Sequence, residues 1–312
     1  MRTEYYSILY KALRDGDIER RTSPDGSKVE IIQDGKTLYT DSEAPLEEYR
    51  TEFIKTEPHI VVFGAGHVSK ALYDMARLLS MSVTVIDERP ETANKNRFPE
   101  AEVICRPYEE FFSSDHPFFR PYYVIMTHGH SYDGRALEWV LRRPAAYIGM
   151  IGSRGKVAAT YQKMLDKGYS QSELDFVHSP IGLKIGAVTP EEIAVSILSE
   201  IISVFRSVKT AFTLSPGYVS SVIGKKGVCA RIIEKRGSAP RAIGSELFYA
   251  ADEDRFYGTV GGGAVEKATE DKCREMWNDR KKTEIVHYNL SAKGDLSMIC
   301  GGDVDMLFSI VE

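Results

Sequence analysis

An apolar run at residues 60–63 leads straight into Gly64-Ala65-Gly66-His67-Val68-Ser69, and Asp87 closes the next apolar run. This is the layout of a phosphate-binding turn between a strand and a helix. Gly64 would make the tight turn, Gly66 would let a phosphate approach the backbone, and Asp87 would take a ribose hydroxyl. Ser69 stands where a dinucleotide fingerprint has its third glycine, which weakens the specific inference of NAD(P) and leaves a Rossmann-like core used only as scaffold as an equal reading. His67 lies inside the turn. A second polar turn, Thr127-His128-Gly129-His130-Ser131-Tyr132-Asp133, follows the run at 122–126 and should emerge on the same sheet edge. Imidazoles and a carboxylate there can hydrogen-bond a ligand or move a proton. They can also hold a metal, with His128, His130 and Asp133 as the candidate ligands. Gly152-Ser153-Arg154 adds a third turn, with Arg154 as an anion contact and Ser153 as a helix cap.

Chemistry of another kind is gathered near the C-terminus. Gly237-Ser238-Ala239-Pro240-Arg241 is followed by Gly261-Gly262-Gly263-Ala264-Val265-Glu266, the second loop opening a helix. Backbone N–H groups of such loops collect around anions, and Arg241 can add a bidentate contact with Ser238 as a hydroxyl donor. Glu266 either accepts hydrogen bonds from a ligand or simply favours the helix N-terminus. Cys300, in Met298-Ile299-Cys300-Gly301-Gly302, is a candidate for sulfur handling, or else a small buried hydrophobe. No Ser-His-Asp order or paired-carboxylate motif points to hydrolysis.

Composition narrows the class. The chain has 312 residues, of which 43% are hydrophobic and 27% charged, enough for two domains with full cores. A net charge of −5 with interspersed signs gives no support for nucleic-acid or anionic-membrane binding. Four cysteines without a CxxC pair indicate neither a disulfide framework nor a thiolate zinc site, and they fit a reducing cytoplasm. No signal-like leader or run of about 18 apolar residues is present.

The elements that must position these turns follow from periodicity. Residues 1–57 read as a lead-in: a helix over 4–14, then strands at 29–33 and 37–39 joined by Asp34-Gly35, able to pack on the C-terminal domain. Residues 58–207 alternate strands (60–63, 83–86, 102–105, 122–126, 145–148) with helices (68–79, 134–141, 156–167), as a parallel sheet requires. A long helix then begins at Thr189-Pro190-Glu191-Glu192 with N-cap, N1 proline and first-turn acids. Residues 208–219 read as a connector. Residues 220–312 carry strands at 228–234, 246–250, 256–260, 284–289 and 304–311 around a helix at 264–277. The expected class is α/β: a Rossmann-like doubly wound parallel sheet with a second, smaller α+β, mainly antiparallel domain.

Together these segments resemble the xanthine dehydrogenase accessory proteins, the XdhC/CoxI family. The carrying residues are Gly64–Val68, Asp87-Glu88-Arg89-Pro90-Glu91, Thr127-His128-Gly129, Tyr147–Arg154 and Pro180–Ile201, then Gly237–Arg241, Gly261–Glu266 and Cys300-Gly301-Gly302. In the family the glycine-rich domain usually precedes the Rossmann domain, whereas here it follows. Gly129 stands where the family usually has Asp, and residues 1–57 match nothing in it. The resemblance implies a cytoplasmic chaperone, not a turnover enzyme. It would bind molybdenum cofactor, as molybdopterin or its cytosine dinucleotide form, and support its sulfuration with a cysteine desulfurase. The cofactor would then be inserted into a xanthine dehydrogenase-type molybdenum hydroxylase. The cofactor is expected between the sheet edge near Gly64, His67 and His128 and the loops near Arg241 and Gly261, since clefts between domains are common ligand sites. A homodimer is compatible with this and has no signature in the sequence. Two alternatives stand beside it: an NAD(P)-dependent oxidoreductase using the Gly64 turn, and a metal-dependent hydrolase at His67, His128 and His130.

Overall fold

The computed structural model describes residues 1–44, 46–207, 211–237, 241–290 and 302–312. The chain opens with helix α1 (Glu4–Asp15) and strands β1 (Ile18–Thr22), β2 (Val29–Gln33), β3 (Lys36–Thr40) and β4 (Arg50–Thr56). There follow β5 (His59–Phe63), α2 (His67–Leu78), β6 (Ser82–Asp87), β7 (Glu102–Cys105), α3 (Tyr108–Ser113), β8 (Pro121–Ile125) and α4 (His130–Leu141). Next come β9 (Tyr147–Met150), α5 (Arg154–Asp166), α6 (Gln171–Asp175), β10 (Val177–His178) and α7 (Pro190–Phe205). The chain ends with β11 (Ala211–Leu214), α8 (Pro216–Val222), β12 (Gly227–Arg236), β13 (Glu246–Ala250), β14 (Arg255–Gly258), α9 (Gly263–Asp279), β15 (Thr283–Asn289) and β16 (Asp303–Val311).

Two compact units result: residues 58–209 form one, and residues 1–57 with 210–312 form the other. In the first, β5 to β10 make a six-stranded sheet in the order β10-β9-β8-β5-β6-β7, and every neighbouring pair is parallel. Continuous apolar strands such as Ile60, Val61, Val62 and Phe63 are buried on both faces, as a parallel sheet covered by helices demands. Helices α2 and α7 cover one face, with Leu72, Ala76, Ile197 and Ile201 packed on Ile60, Val62 and Val124. On the other face Ala136, Leu137 and Trp139 of α4 and Phe111 of α3 close over Val61, Phe63 and Ile125. The α7 start forms as its sequence dictates: the Thr189 hydroxyl accepts from the Glu192 amide and the Glu192 carboxylate accepts from the Thr189 amide.

The second unit holds two five-stranded sheets. One, β14-β13-β12-β16-β15, is antiparallel throughout and packs its inner face against Val265, Cys273 and Met276 of α9. The other, β11-β4-β1-β2-β3, is built from the N-terminal segment plus β11, which pairs parallel with β4. Strands β1 and β4 lie where periodicity predicts no element, and β11 lies in the expected 208–219 connector. The reason is chemical: β1 and β4 carry Arg20 and Glu52 where a half-buried strand normally carries aliphatics, and both side chains are buried.

Candidate functional site

At the centre of the parallel sheet the strand order reverses between β5 and β8, and the helices that follow them, α2 and α4, lie on opposite faces. The C-terminal edge of such a switch point is where open α/β sheets bind ligands. The turn after β5 is fixed from several sides. Gly64 has φ 111°, and a Cβ on it would lie 2.2 Å from the Met126 carbonyl oxygen, so its lack of a side chain serves backbone packing between the β5 and β8 ends. The buried Ser69 hydroxyl donates to the Gly64 carbonyl at 2.6 Å, which is how a serine replaces the third glycine. Gly66 is different. A Cβ there would meet nothing, and no side chain caps the first amides of α2, with His67 exposed at the first helical position.

Asp87 is wholly buried. One carboxylate oxygen accepts from the Ala65 amide at 2.7 Å and Arg89 Nη2 at 2.7 Å, the other from the Arg89 amide and Nε. Burial works to raise its pKa, but the hydrogen bonds from Arg89 and from the Ala65 and Arg89 amides outweigh it and hold the carboxyl below its ordinary value. The group expected to meet a ribose hydroxyl therefore braces the turn that carries Gly66.

Asp133 follows the same logic at the next strand end. It is fully buried, accepts from the Thr127 amide at 2.9 Å and the Thr127 hydroxyl at 2.6 Å, and pairs with Lys156 Nζ at 2.6 Å. Its charge is thus committed to holding the Thr127–Gly129 turn rather than turned outward to a metal. His128 remains at the edge, Nε2 3.3 Å from Glu88 and its ring stacked on Tyr108 at 6.0 Å between centroids. The His130 side chain lies outside the described residues. Among the described residues no group of three His, Cys, Asp or Glu side chains is placed to hold a metal ion. Helix α4, like α2, starts from a glycine, Gly129, without a side-chain cap.

One strand further out, Ser153 caps α5 by accepting from the Lys156 amide, and Arg154 is exposed. Arg154 lines a cavity of about 1,020 Å³ together with Ser153, Ile181, Lys184, Ser196 and Glu200. Neither Arg154 nor Lys184 has a carboxylate partner among the described residues, whereas Glu200 is engaged by the Tyr147 hydroxyl at 2.6 Å and the Gly182 amide at 2.9 Å. Lys184 and Glu200 were missed as site residues. Both fall inside the Pro180–Ile201 stretch, where a lone cation among glycines was the available signal.

In the other unit the glycine-rich loop does gather amides around an anion, and that anion is the chain's own. Glu266 Oε2 accepts from the Gly262 amide at 2.9 Å, Val260 at 3.1 Å and Gly261 at 3.3 Å, and from the Thr259 hydroxyl. Burial pushes the Glu266 pKa up, but the Thr259 hydroxyl and these three amides together hold it below the ordinary 4.5. A depressed carboxylate contributes stability above its unfolded pKa and loses it as pH falls through the folded value, so the loop should loosen only below about pH 4.5. Glu266→Ala is expected to speed hydrogen exchange of the Val260, Gly261 and Gly262 amides about ten-fold at neutral pH. Unchanged exchange would show that the loop holds itself. Arg241 is exposed and has no carboxylate partner among the described residues. Ser238 and Cys300 lie outside the described residues. Of the described cysteines, burial pushes Cys229 up to about 12 and Cys273 higher still, so neither is a ready thiolate.

Two family models match the chain. Residues 60–201 match the XdhC Rossmann domain and residues 223–289 match the XdhC and CoxI family. The chain belongs to the XdhC and CoxI family. It is 30% identical over 193 residues to an uncharacterized Escherichia coli protein, YqeB, covering 62% of this chain and 35% of the relative. It is 31% identical over 180 residues to a Bacillus subtilis protein named as a probable xanthine dehydrogenase subunit, covering 57% of this chain and 52% of that relative. It is 32% identical over 83 residues to the Escherichia coli molybdenum cofactor insertion chaperone PaoD, covering 27% and 26%. The chain thus spans about a third to a half of the length of the first two relatives. A crystal structure from Bacillus halodurans, described as a xanthine dehydrogenase, superposes with a TM-score of 0.50 at 24% identity, covering 65% of this chain and 66% of that one, a likeness of fold. No helix among the described residues is long and apolar enough to cross a membrane.

Proposed function

We propose that this protein is an accessory chaperone that takes molybdenum cofactor as cargo and delivers it to a molybdenum hydroxylase of the xanthine dehydrogenase type. The observation that carries this reading is the presence of both family halves in one chain, with helix amides in one half and an exposed arginine in the other to meet a phosphorylated pterin. In the Rossmann unit the uncapped start of α2 at Gly66 and His67 offers amides to a phosphate. Arg154 and Lys184, without a carboxylate partner among the described residues, supply positive charge beside a cavity large enough for a nucleotide-extended form. In the other unit Arg241 offers a bidentate guanidinium. The name of PaoD as a cofactor insertion chaperone supports the same direction. Sulfuration with a cysteine desulfurase, with Cys300 as the sulfur-handling residue, belongs to this proposal.

Because the Asp87 carboxylate is spent on Ala65 and Arg89, hydride chemistry on NAD(P) is the weaker reading of the same turn. The test is anaerobic purification from a molybdate-fed host, followed by oxidation, pterin fluorescence and elemental analysis for molybdenum. Near-stoichiometric pterin is expected in the wild type. Arg154→Ala and Arg241→Ala should each reduce it at least ten-fold, reporting on the two units separately, while Cys300→Ser should retain pterin and lose sulfur transfer. A wild-type protein that captures no pterin while the host makes it would sink the reading.

A further inference from the structure

A cavity lies between the two sheets of the unit formed by residues 1–57 and 210–312. Its described walls enclose about 640 Å³, within the range of small-molecule sites. Phe212, Ile233, Ile243, Ile285 and Leu307 supply apolar surface from both sheets. Two glycines fix that surface. Gly26, at φ 73°, sits where a Cβ would lie 2.2 Å from Leu307, and Gly244, at φ 85°, sits where one would lie 2.4 Å from the Phe212 ring. The Leu307 and Phe212 side chains of the wall thus pack directly on glycine backbone.

The charged part of the lining is balanced. Arg50 and Arg231 are matched by Glu52 and Glu234, so the charged lining carries no net charge and offers nothing to a phosphate. Arg231 is 4% exposed, yet it is only partly satisfied: Nη2 donates to Thr22 Oγ1 at 3.1 Å, Nη1 lies 3.5 Å from Glu52, and Nε has no acceptor among the described residues. The Nε is closed off from the cavity, but Nη1 makes no hydrogen bond among the described residues and is the guanidinium donor left for a ligand carbonyl. A carboxylate such as Glu52 can in turn accept from a ligand N–H. The Thr22–Gly26 and Arg50–Glu52 parts of the wall come from a segment that neither family model covers.

We propose that this slot binds an uncharged, mostly apolar fused-ring lactam, its ring between Phe212, Ile243 and Leu307 and its amide edge toward Arg231 and Glu52. Such a ligand presents a carbonyl acceptor and an N–H donor side by side, matching one arginine and one carboxylate. The site needs no molybdenum cofactor, so its test and that of the chaperone reading stand or fall separately.

Quinazolin-4-one, titrated into the full chain by calorimetry, is the probe. Saturable one-site binding is expected. Indole, similar in shape but without an acceptor, should bind about ten-fold more weakly, the worth of one buried hydrogen bond. Ile285→Trp, at the half-exposed mouth, should lower lactam affinity at least ten-fold with an unchanged circular dichroism spectrum, and Ile243→Phe serves if the first variant does not fold. Absence of saturable binding at millimolar lactam overturns the proposal. So does equal affinity for indole, or binding that a folded filling variant leaves untouched.

Discussion

Arg20→Ala is expected to cost the unit formed by residues 1–57 and 210–312 about 3–5 kcal/mol, the scale for breaking a buried ion pair from one side. Arg20 is 1% exposed and donates Nε to Glu52 at 2.6 Å, and Nη1 to Glu246 at 2.6 Å and the Tyr5 hydroxyl at 3.0 Å. Arg231 is the other cation of this cluster, at 3.5 Å from Glu52 and 4.0 Å from Glu246. Two arginines and two glutamates thus neutralise one another where β1 and β4 of one sheet meet β12 and β13 of the other. Without Arg20 two buried carboxylates share one distant guanidinium. The penalty is then the desolvation of an uncompensated charge, which exceeds the modest worth of the pair itself.

The same cluster sets a pH dependence. Burial works to raise the Glu52 pKa, but Arg20 and Arg231 outweigh it and keep the carboxyl below 4.5. Its stabilisation is present above 4.5 and lost as pH falls through the folded value. In Arg20→Ala that carboxyl should titrate higher, so acid unfolding of this unit moves toward neutrality. Urea denaturation followed by tryptophan fluorescence and circular dichroism reads both effects. Trp139 reports the Rossmann unit and Trp277 the other, and only the second transition should move. A loss below about 1 kcal/mol would mean the cluster is solvated in solution and the burial argument fails.

The second large effect separates two glycines that look equivalent in sequence. Gly64→Ala should destabilise the Rossmann unit by about 2–5 kcal/mol, combining left-handed backbone strain of about 1–2 kcal/mol with overpacking against the Met126 carbonyl of about 1–3 kcal/mol. Gly66→Ala should leave stability unchanged within about 0.5 kcal/mol, because its Cβ meets open space. If a phosphate docks on the α2 amides, Gly66→Val should still lower pterin capture several-fold by standing in its approach. Equal stability loss in both alanine variants would refute the division of labour. Full capture by a folded Gly66→Val would move the phosphate elsewhere.

Much of the fold was legible for a simple reason: the parallel strands are buried on both faces. Ile60 to Phe63, Val83 to Ile86 and Tyr122 to Met126 are apolar runs that admit little else, and the turns at their C-terminal ends must share one edge. The capping box at Thr189 and the helix after Gly263 are local, so their short-range chemistry suffices to specify them. The roles of individual polar residues at these turns were less legible. Gly64 and Gly66 differ only in what stands opposite, and Met126 is 62 positions away from Gly64 in the chain.

What the sequence by itself determined was therefore the alternation of elements, the two sheet types and the turns that carry polar chemistry, because period and turn composition are properties of neighbouring residues. What only the tertiary structure decided was how the charges are spent. Asp87 is taken by Ala65 and Arg89, Asp133 by Thr127 and Lys156, and Glu266 by the glycine loop it follows. Arg20 reaches Glu246 across 226 positions and makes a strand of a segment too charged to read as one. A carboxylate's availability depends on which donors the fold brings within about 3 Å, a contact distance that no spacing along the chain encodes.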